Sequence, residues 1–447
     1  RGTTIILYLK DSEHNLLSYW KIKKILNTYS DHISVPILMK KENTTQKEII
    51  NKATALWALP KEEISEQQYI EFYKHLTDDD INPLTYIHSK VEGKLEYTCL
   101  LFIPEKAPYE FTYTEKKNGL KLYIQRIFVM DNVKQFLPNY LRFIKGIIDS
   151  NDLPLNVSRE TLQETPLAET LKTALTNKVF TLLDDLQNQK EKYIKFWKEF
   201  DNILKEGPAE DYSQKEKISS YYKFHAYYNN KVNDYISLDE YIGFMTKEQK
   251  NIFYMSTTPK ENNDENPYLE IFKKKNIPVL IFYDKIDEWL ITHLTEYKGK
   301  KFKSVLKNDL NIENEENTIE NESICKKIIE KMKVALSGKV KNITISKRLI
   351  DTASCVVIGE HDMTPQLENL LKQNGNKTIA ETKPTLEINI KHPLINRIYT
   401  ENDTEKINLL SEIVLKQSLL IENGSIDNPS IFVKQINTLL MNLYTKT

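Results

Sequence analysis

Glycine and cysteine are scarce in this sequence, and long apolar runs are missing. Eleven glycines in 447 residues include no GxGxxG and no GxxxxGK[ST] run, so no backbone cradle for a phosphate chain can be assembled from them. The three cysteines, Cys99, Cys325 and Cys355, stand far apart and form no CxxC pair, which excludes a disulfide framework and fits buried thiols in a reducing compartment. There is no HExxH and no GxSxG, and the eight histidines are scattered, so neither a metal centre nor a hydrolytic triad is indicated. No apolar run approaches membrane-spanning length and no signal peptide opens the chain, so a cytoplasmic location is expected. Neither sign of charge dominates. The 62 basic and 63 acidic residues leave a net charge of -1, and with no global field to attract them, nucleic acid and membrane are not expected as partners.

The remaining composition is that of a globular protein, 40% hydrophobic and 28% charged, long enough for about three domains. Lysine, asparagine and isoleucine are abundant, which we read as drift in genome composition. Residues 2 to 10 and 33 to 39 read as strands around a helix near Trp20 to Leu26, and residues 41 to 52 read as a short polar linker. Further on, Glu66 to His75 reads as a helix, and Tyr97 to Ile103 and Glu110 to Thr114 read as strands. A helix with the stripe Leu171, Leu175, Val179, Leu182, Leu183 and Leu186 follows. Strand, helix and strand at 251–256, 267–275 and 279–283 predict a crossover in a small parallel sheet. Residues 308 to 323 are acidic and poorly apolar, and read as a tether. A last unit, 324 to 447, ends in two helices joined by a short loop, each apolar on more than one stripe. The surplus stripe predicts a homodimer through a four-helix bundle, with Leu410, Val414, Ile421, Ile436 and Leu440 at the interface.

The most specific stretch runs from Leu120 to Leu167. It opens with a strand pattern, and Val133, Phe136, Leu137, Tyr140, Leu141, Ile144 and Ile148 then predict a helix. Pro154 forces an extended segment before Asn156-Val-Ser-Arg-Glu160, where Ser158 is placed to cap a new helix. An arginine at such a junction can point away from its own core. This block resembles the middle segment of the heat shock protein 90 chaperones, of the bacterial HtpG type. Ala53 to Pro60 and Leu204 to Asp211 resemble other segments of the same family, and the resemblance covers essentially the whole chain.

The resemblance implies an α/β and α+β multidomain protein. Residues 1–40 would be the end of an N-terminal ATP-binding domain. Residues 53–307 would be a middle domain of two α/β units, and 324–447 a C-terminal α+β dimerisation domain ending in a helical hairpin. It further implies an ATP-driven homodimeric chaperone, using ATP with Mg2+, that clamps partly folded client proteins. Arg159 would be the catalytic arginine, reaching the γ-phosphate held by the N-terminal domain, with Asn156 and Gln163 supporting it. Thr3 matches a nucleotide-pocket threonine. Trp57, Glu288, Trp289, Met363, Leu367 and Leu370 are assigned to client contact. The general base and lid of the ATP site are absent from these residues, so this chain alone is expected to be inactive as an ATPase. The chain ends at Thr447 without an EEVD sequence, and cochaperones that read that tail are not expected. A nucleotide-independent holding or dimerisation scaffold is the alternative.

Overall fold

Five consecutive residues, Cys99 to Ile103, are fully buried, and the first half of the protein is built around them. The computed structural model describes residues 2–41, 46–93, 95–107, 119–131, 133–153, 166–257, 265–308, 310, 312, 322–359 and 383–444. They form two compact units, 1–212 and 213–447, each a mixture of helices and mixed sheets.

In the first unit Cys99–Ile103 lies in β4 (Tyr97–Pro104), between β3 (Pro83–Val91) and β7 (Lys145–Ser150), antiparallel to both. β5 (Gly119–Ile124) runs parallel to β7 and turns into β6 (Ile127–Met130), giving the order β3-β4-β7-β5-β6. Gly146 is required where β7 crosses β4, since a Cβ there would sit 2.3 Å from the carbonyl oxygen of Leu100. The helix Pro166–Gln187 buries the whole expected stripe, Leu171 to Leu186.

The helix expected over Val133 to Ile148 is not formed. Two 3-10 turns, Lys134–Phe136 and Asn139–Leu141, lead directly into β7. Pro138 lacks the N–H that a continuing helix needs and closes the first turn. The apolar residues are nonetheless buried as a set, so here the period reported burial rather than helix. The segment Leu204 to Asp211 holds these turns in place. Glu206 takes the Arg142 guanidinium through both oxygens, at 2.7 and 2.8 Å, and Glu210 accepts the Asn139 and Tyr140 N–H groups at 2.8 and 3.1 Å.

Residues 2 to 10 are likewise not a strand. Ile5, Ile6, Leu7 and Tyr8 are exposed, and among the described residues nothing pairs with them, which leaves an extended segment without the ladder that defines a strand. The helix Tyr19–Tyr29 is formed as expected. β1 (Leu38–Lys40) pairs with β2 (Lys47–Ile49), and the buried Asn51 amide closes this clip, accepting the Ile37 N–H at 2.7 Å and donating to the Val35 carbonyl at 3.0 Å.

The second unit holds a six-stranded sheet made of β8 (Lys223–Tyr228), β9 (Lys231–Ser237), β10 (Asn251–Ser256), β11 (Val279–Phe282), β12 (Glu296–Tyr297) and β13 (Lys300–Ser304), in the order β12-β13-β10-β11-β8-β9. The expected crossover is present, with β10 parallel to β11. The sheet is mixed rather than parallel, because the β8–β9 hairpin and β12 add antiparallel edges. A three-stranded sheet follows, β14 (Asn342–Ile345), β15 (Ser354–Val357) and β16 (Thr385–Ile388), ordered β14-β16-β15. Around it pack the helices Glu322–Ala335, Pro393–Thr400, Thr404–Asn423 and Pro429–Tyr444. The helix at Pro393 was not expected, although the proline at its first position and His392, whose Nδ1 accepts the Leu394 N–H, are its start signal. All three cysteines are buried and none forms a disulfide, and burial pushes the Cys99 thiol up to about 12. No helix among the described residues is long and apolar enough to cross a membrane.

Candidate functional site

The segment 154–165, which carries Asn156, Arg159 and Gln163, lies outside the described residues; its two flanks do not. On the upstream side, β7 ends at the fully buried Ser150, whose hydroxyl donates to the Glu96 carbonyl at 3.0 Å. The Asn151 N–H donates to the same carbonyl at 3.3 Å, and Asp152 accepts the Glu96 N–H at 2.6 Å. Leu153 is buried. On the downstream side the helix Pro166–Gln187 begins at once and inserts Ala168 and Leu171 into the core. Both flanks of the segment therefore belong to the core of the first unit.

Just behind this root lies Asp149. One of its carboxylate oxygens accepts the Trp57 indole N–H at 2.8 Å and the other accepts the Arg126 backbone N–H at 3.2 Å. Trp57 is only 2% exposed, its ring edge-on to those of His32 and Phe72 and tilted against that of Tyr123. In this structure it is a core residue joining the entry segment to β7, and offers no surface to a client. His88 bridges the Trp57 carbonyl at 3.0 Å and the Tyr69 hydroxyl at 2.8 Å, and burial pushes its imidazole down, as it does that of His32. A cavity of about 820 Å³ opens here, with Trp57, His88, Lys90, Arg126, Asp149 and Asn151 on its wall. Thr3, by contrast, is exposed in the irregular segment 2–10 and touches none of this.

The other proposed client residues are placed unequally. Glu288 is buried and accepts a short hydrogen bond from the Ser256 hydroxyl at the end of β10, so it secures the helix Lys285–His293 to the sheet. Trp289 is half-buried, its ring 4.5 Å from that of His293. Met363, Leu367 and Leu370 lie outside the described residues.

At the C-terminal hairpin, Leu410 and Val414 are buried against Ile328, Met332 and Leu386 of their own unit. They belong to the subunit core and are not free to meet a second copy. Ile421 and Leu440 are exposed, at 36% and 46%, and Ile436 is half-buried. The exposed face continues through Leu420, Ile431, Val433 and Met441, which a count of stripes alone did not separate from the core face. Gly424, at φ 65°, takes the left-handed position that ends the first helix.

Among the described residues no group of three His, Cys, Asp or Glu side chains is placed to hold a metal ion.

The sequence model of the Hsp90 protein family matches residues 39–446. The chaperone protein HtpG of Coxiella burnetii is 42% identical over 458 residues, covering 99% of this chain and 72% of the relative. The HtpG of Nitrosospira multiformis is 44% identical over 467 residues, covering 100% and 73%, and that of Chromobacterium violaceum 43% over 460 residues, covering 99% and 73%. The chain belongs to the Hsp90 family of molecular chaperones and is of the bacterial HtpG type.

Proposed function

We propose that this chain works in the cytoplasm as the body of an ATP-dependent, homodimeric chaperone clamp for partly folded proteins, in which Arg159 completes the ATPase site of an N-terminal domain. The observation that carries the reading is the anchoring of the two flanks of segment 154–165, the hydrogen-bonded end of β7 and the core helix Pro166–Gln187. Phosphoryl transfer depends on positioning and charge stabilisation, and a guanidinium presented from a rigid body by another domain supplies both. Magnesium bound with ATP would offset phosphate charge, and this chain's part is to bring the arginine to the γ-phosphate. The test is suppression of aggregation of a thermally unfolding enzyme by the chaperone, with and without ATP, in the protein that carries the ATP-binding domain. Aggregation that proceeds unchanged at stoichiometric chaperone excludes the client-holding role.

Client contact is assigned to Trp289 together with Met363, Leu367 and Leu370. Glu288 and Trp57 support their own units from within. Trp289→Ser with Leu367→Ser will weaken binding of an unfolded model protein by about 2 kcal/mol, roughly 30-fold, the scale of an aromatic anchor. Thermal unfolding of the variant should match the parent. A drop of about 2–5 kcal/mol in stability with unchanged binding marks the two residues as core instead.

Dimerisation is assigned to the outer face of the helix Pro429–Tyr444, where Val433, Ile436 and Leu440 fall at i, i+3 and i+7, with Leu420 and Ile421 beside them. Val433→Glu with Leu440→Glu should give a folded monomer in sedimentation equilibrium of the full chain. Leu410→Glu should instead destabilise the unit, since it buries a charge among Ile328 and Leu386. A double variant that still sediments as a dimer at micromolar concentration removes this face from the assembly.

A further inference from the structure

A second cavity of the first unit, about 510 Å³, lies between the helix Tyr19–Tyr29, the helix Glu66–Thr77 and strands β5 and β6. It shares no lining residue with the cavity beside Trp57. Phe72, Tyr123 and Phe128 give it an aromatic wall, with the Tyr123 and Phe128 rings 5.7 Å apart. Trp20 adds a fourth ring, which is 66% exposed.

The charged lining is mostly cationic. Lys23, Lys24 and Lys121 stand against one carboxylate, Asp131, beside the imidazoles of His32 and His75, both of which burial pushes down. Two of these groups are already engaged. The Lys23 ammonium lies 3.2 Å from Glu48, which also accepts the Tyr19 hydroxyl, and His32 Nδ1 meets the Thr54 carbonyl at 3.2 Å.

Lys121 is not engaged in this way. It belongs to β5, an interior strand flanked by β7 and β6. Leu120 and Leu122 fill one face of that strand, and alternation puts Lys121 on the other with Tyr123, paired across to Ile147 of β7. Among the described residues its side chain makes no hydrogen bond and no ion pair. The exposed Asp131, just past β6, acts on it only through space, and burial pushes the ammonium down. An unpaired cation held over aromatic rings, partly out of water, costs stability that an anion placed beside it would restore.

We propose that this cavity is a binding site for a small organic acid with a flat aromatic body, whose ring lies among Trp20, Phe72 and Phe128 and whose anionic group pairs with Lys121, with the exposed Lys24 as a second cation. A cavity of this volume, mostly apolar with a few converging polar groups, is of the size that takes a small ligand. One wall comes from the helix Tyr19–Tyr29 and the opposite wall from the sheet, so an occupied site fastens the helix to the sheet. That helix buries none of its residues fully, which leaves its attachment open to reinforcement. Nothing in the proposal depends on Arg159 or on ATP, so it stands or falls apart from the clamp reading.

The test is calorimetric titration of the whole 447-residue chain with 2-naphthoate, neutral 2-naphthamide and inorganic phosphate. Naphthoate should bind at one site and slow hydrogen exchange across residues 19–29. The amide and phosphate should each bind at least ten-fold more weakly, since one lacks the charge and the other the ring. Lys121→Met keeps the length of the side chain and removes its charge, so naphthoate should bind about ten-fold more weakly, the loss of one charge-assisted hydrogen bond. Exchange protection of β4 and β7 should be unchanged in that variant. Trp20→Ala alters an exposed ring and leaves the core alone, and it should weaken naphthoate about five-fold. No binding at millimolar naphthoate, equal binding of acid and amide, or phosphate binding as tightly as naphthoate overturns the proposal. So does an affinity unchanged in Lys121→Met, or, if that variant fails to fold, one unchanged in Trp20→Ala.

Discussion

Arg159→Ala, in the protein that carries the ATP-binding domain, should lower ATP turnover by about 10³-fold or more while leaving nucleotide affinity close to that of the parent. The two effects divide because an arginine delivered from a second domain meets the γ-phosphate only when the domains close. An interaction made only on the way to the transition state appears in kcat and not in ground-state binding. Arg159→Lys should recover little, since a single ammonium cannot reproduce two parallel donors. The flanks predict that the loss is local. Ser150 and Asn151 are tied to Glu96, and Ala168 and Leu171 are locked in the core, so an alanine between them leaves the fold intact. Turnover within a few-fold of the parent, measured with purified protein at saturating ATP, removes Arg159 from the mechanism. Loss of turnover accompanied by loss of nucleotide binding points to misfolding or to a ground-state contact instead.

The sequence alone made some of this legible, for physical reasons that differ from place to place. The stripe from Leu171 to Leu186 was readable because that helix has one wet face, which sets the period. The β10–β11 crossover was readable because β11 is apolar throughout, as a strand covered on both sides must be. Val133 to Ile148 misled because every apolar residue in it is buried whatever the backbone does, and Pro138 decided the outcome. The β8–β9 hairpin went unread, since its turn is Asn229-Asn230 rather than Asn-Gly, both at positive φ. At the site, Arg159 was proposed from its motif, its segment lying outside the described residues. The link from Trp57 through Asp149 to Arg126 was not legible, because it joins residues 92 positions apart through a sheet that local pattern cannot pair. In the hairpin, counting two apolar stripes was enough to predict a surplus face. Assigning Leu410 and Val414 to it required knowing that the helix Glu322–Ala335 covers them.

The largest stability effect expected outside the site concerns Glu387. This residue of β16 is buried and accepts the Arg348 fork at 3.0 and 3.1 Å, with Ser346 adding a hydroxyl at 3.0 Å. Arg348 spends its other donors on the carbonyls of Val305 and Lys307, just beyond β13, so one guanidinium ties the six-stranded sheet to the three-stranded one. Glu387→Ala strands that cation in a dry interface and should cost about 3–5 kcal/mol. Glu387→Leu with Arg348→Met removes both charges and should cost less than the single change, because no uncompensated charge is left buried. The exposed pair Lys339–Glu412 is the control, worth about 0–1 kcal/mol. With two compact units the chain need not unfold in one step, so the measurement is native-state hydrogen exchange rather than a single melting curve. Glu387→Ala should lower protection across β14 to β16 and leave β4 in the first unit unchanged. If its effect is no greater than that of Lys339→Ala, the buried pair does not hold the two sheets together.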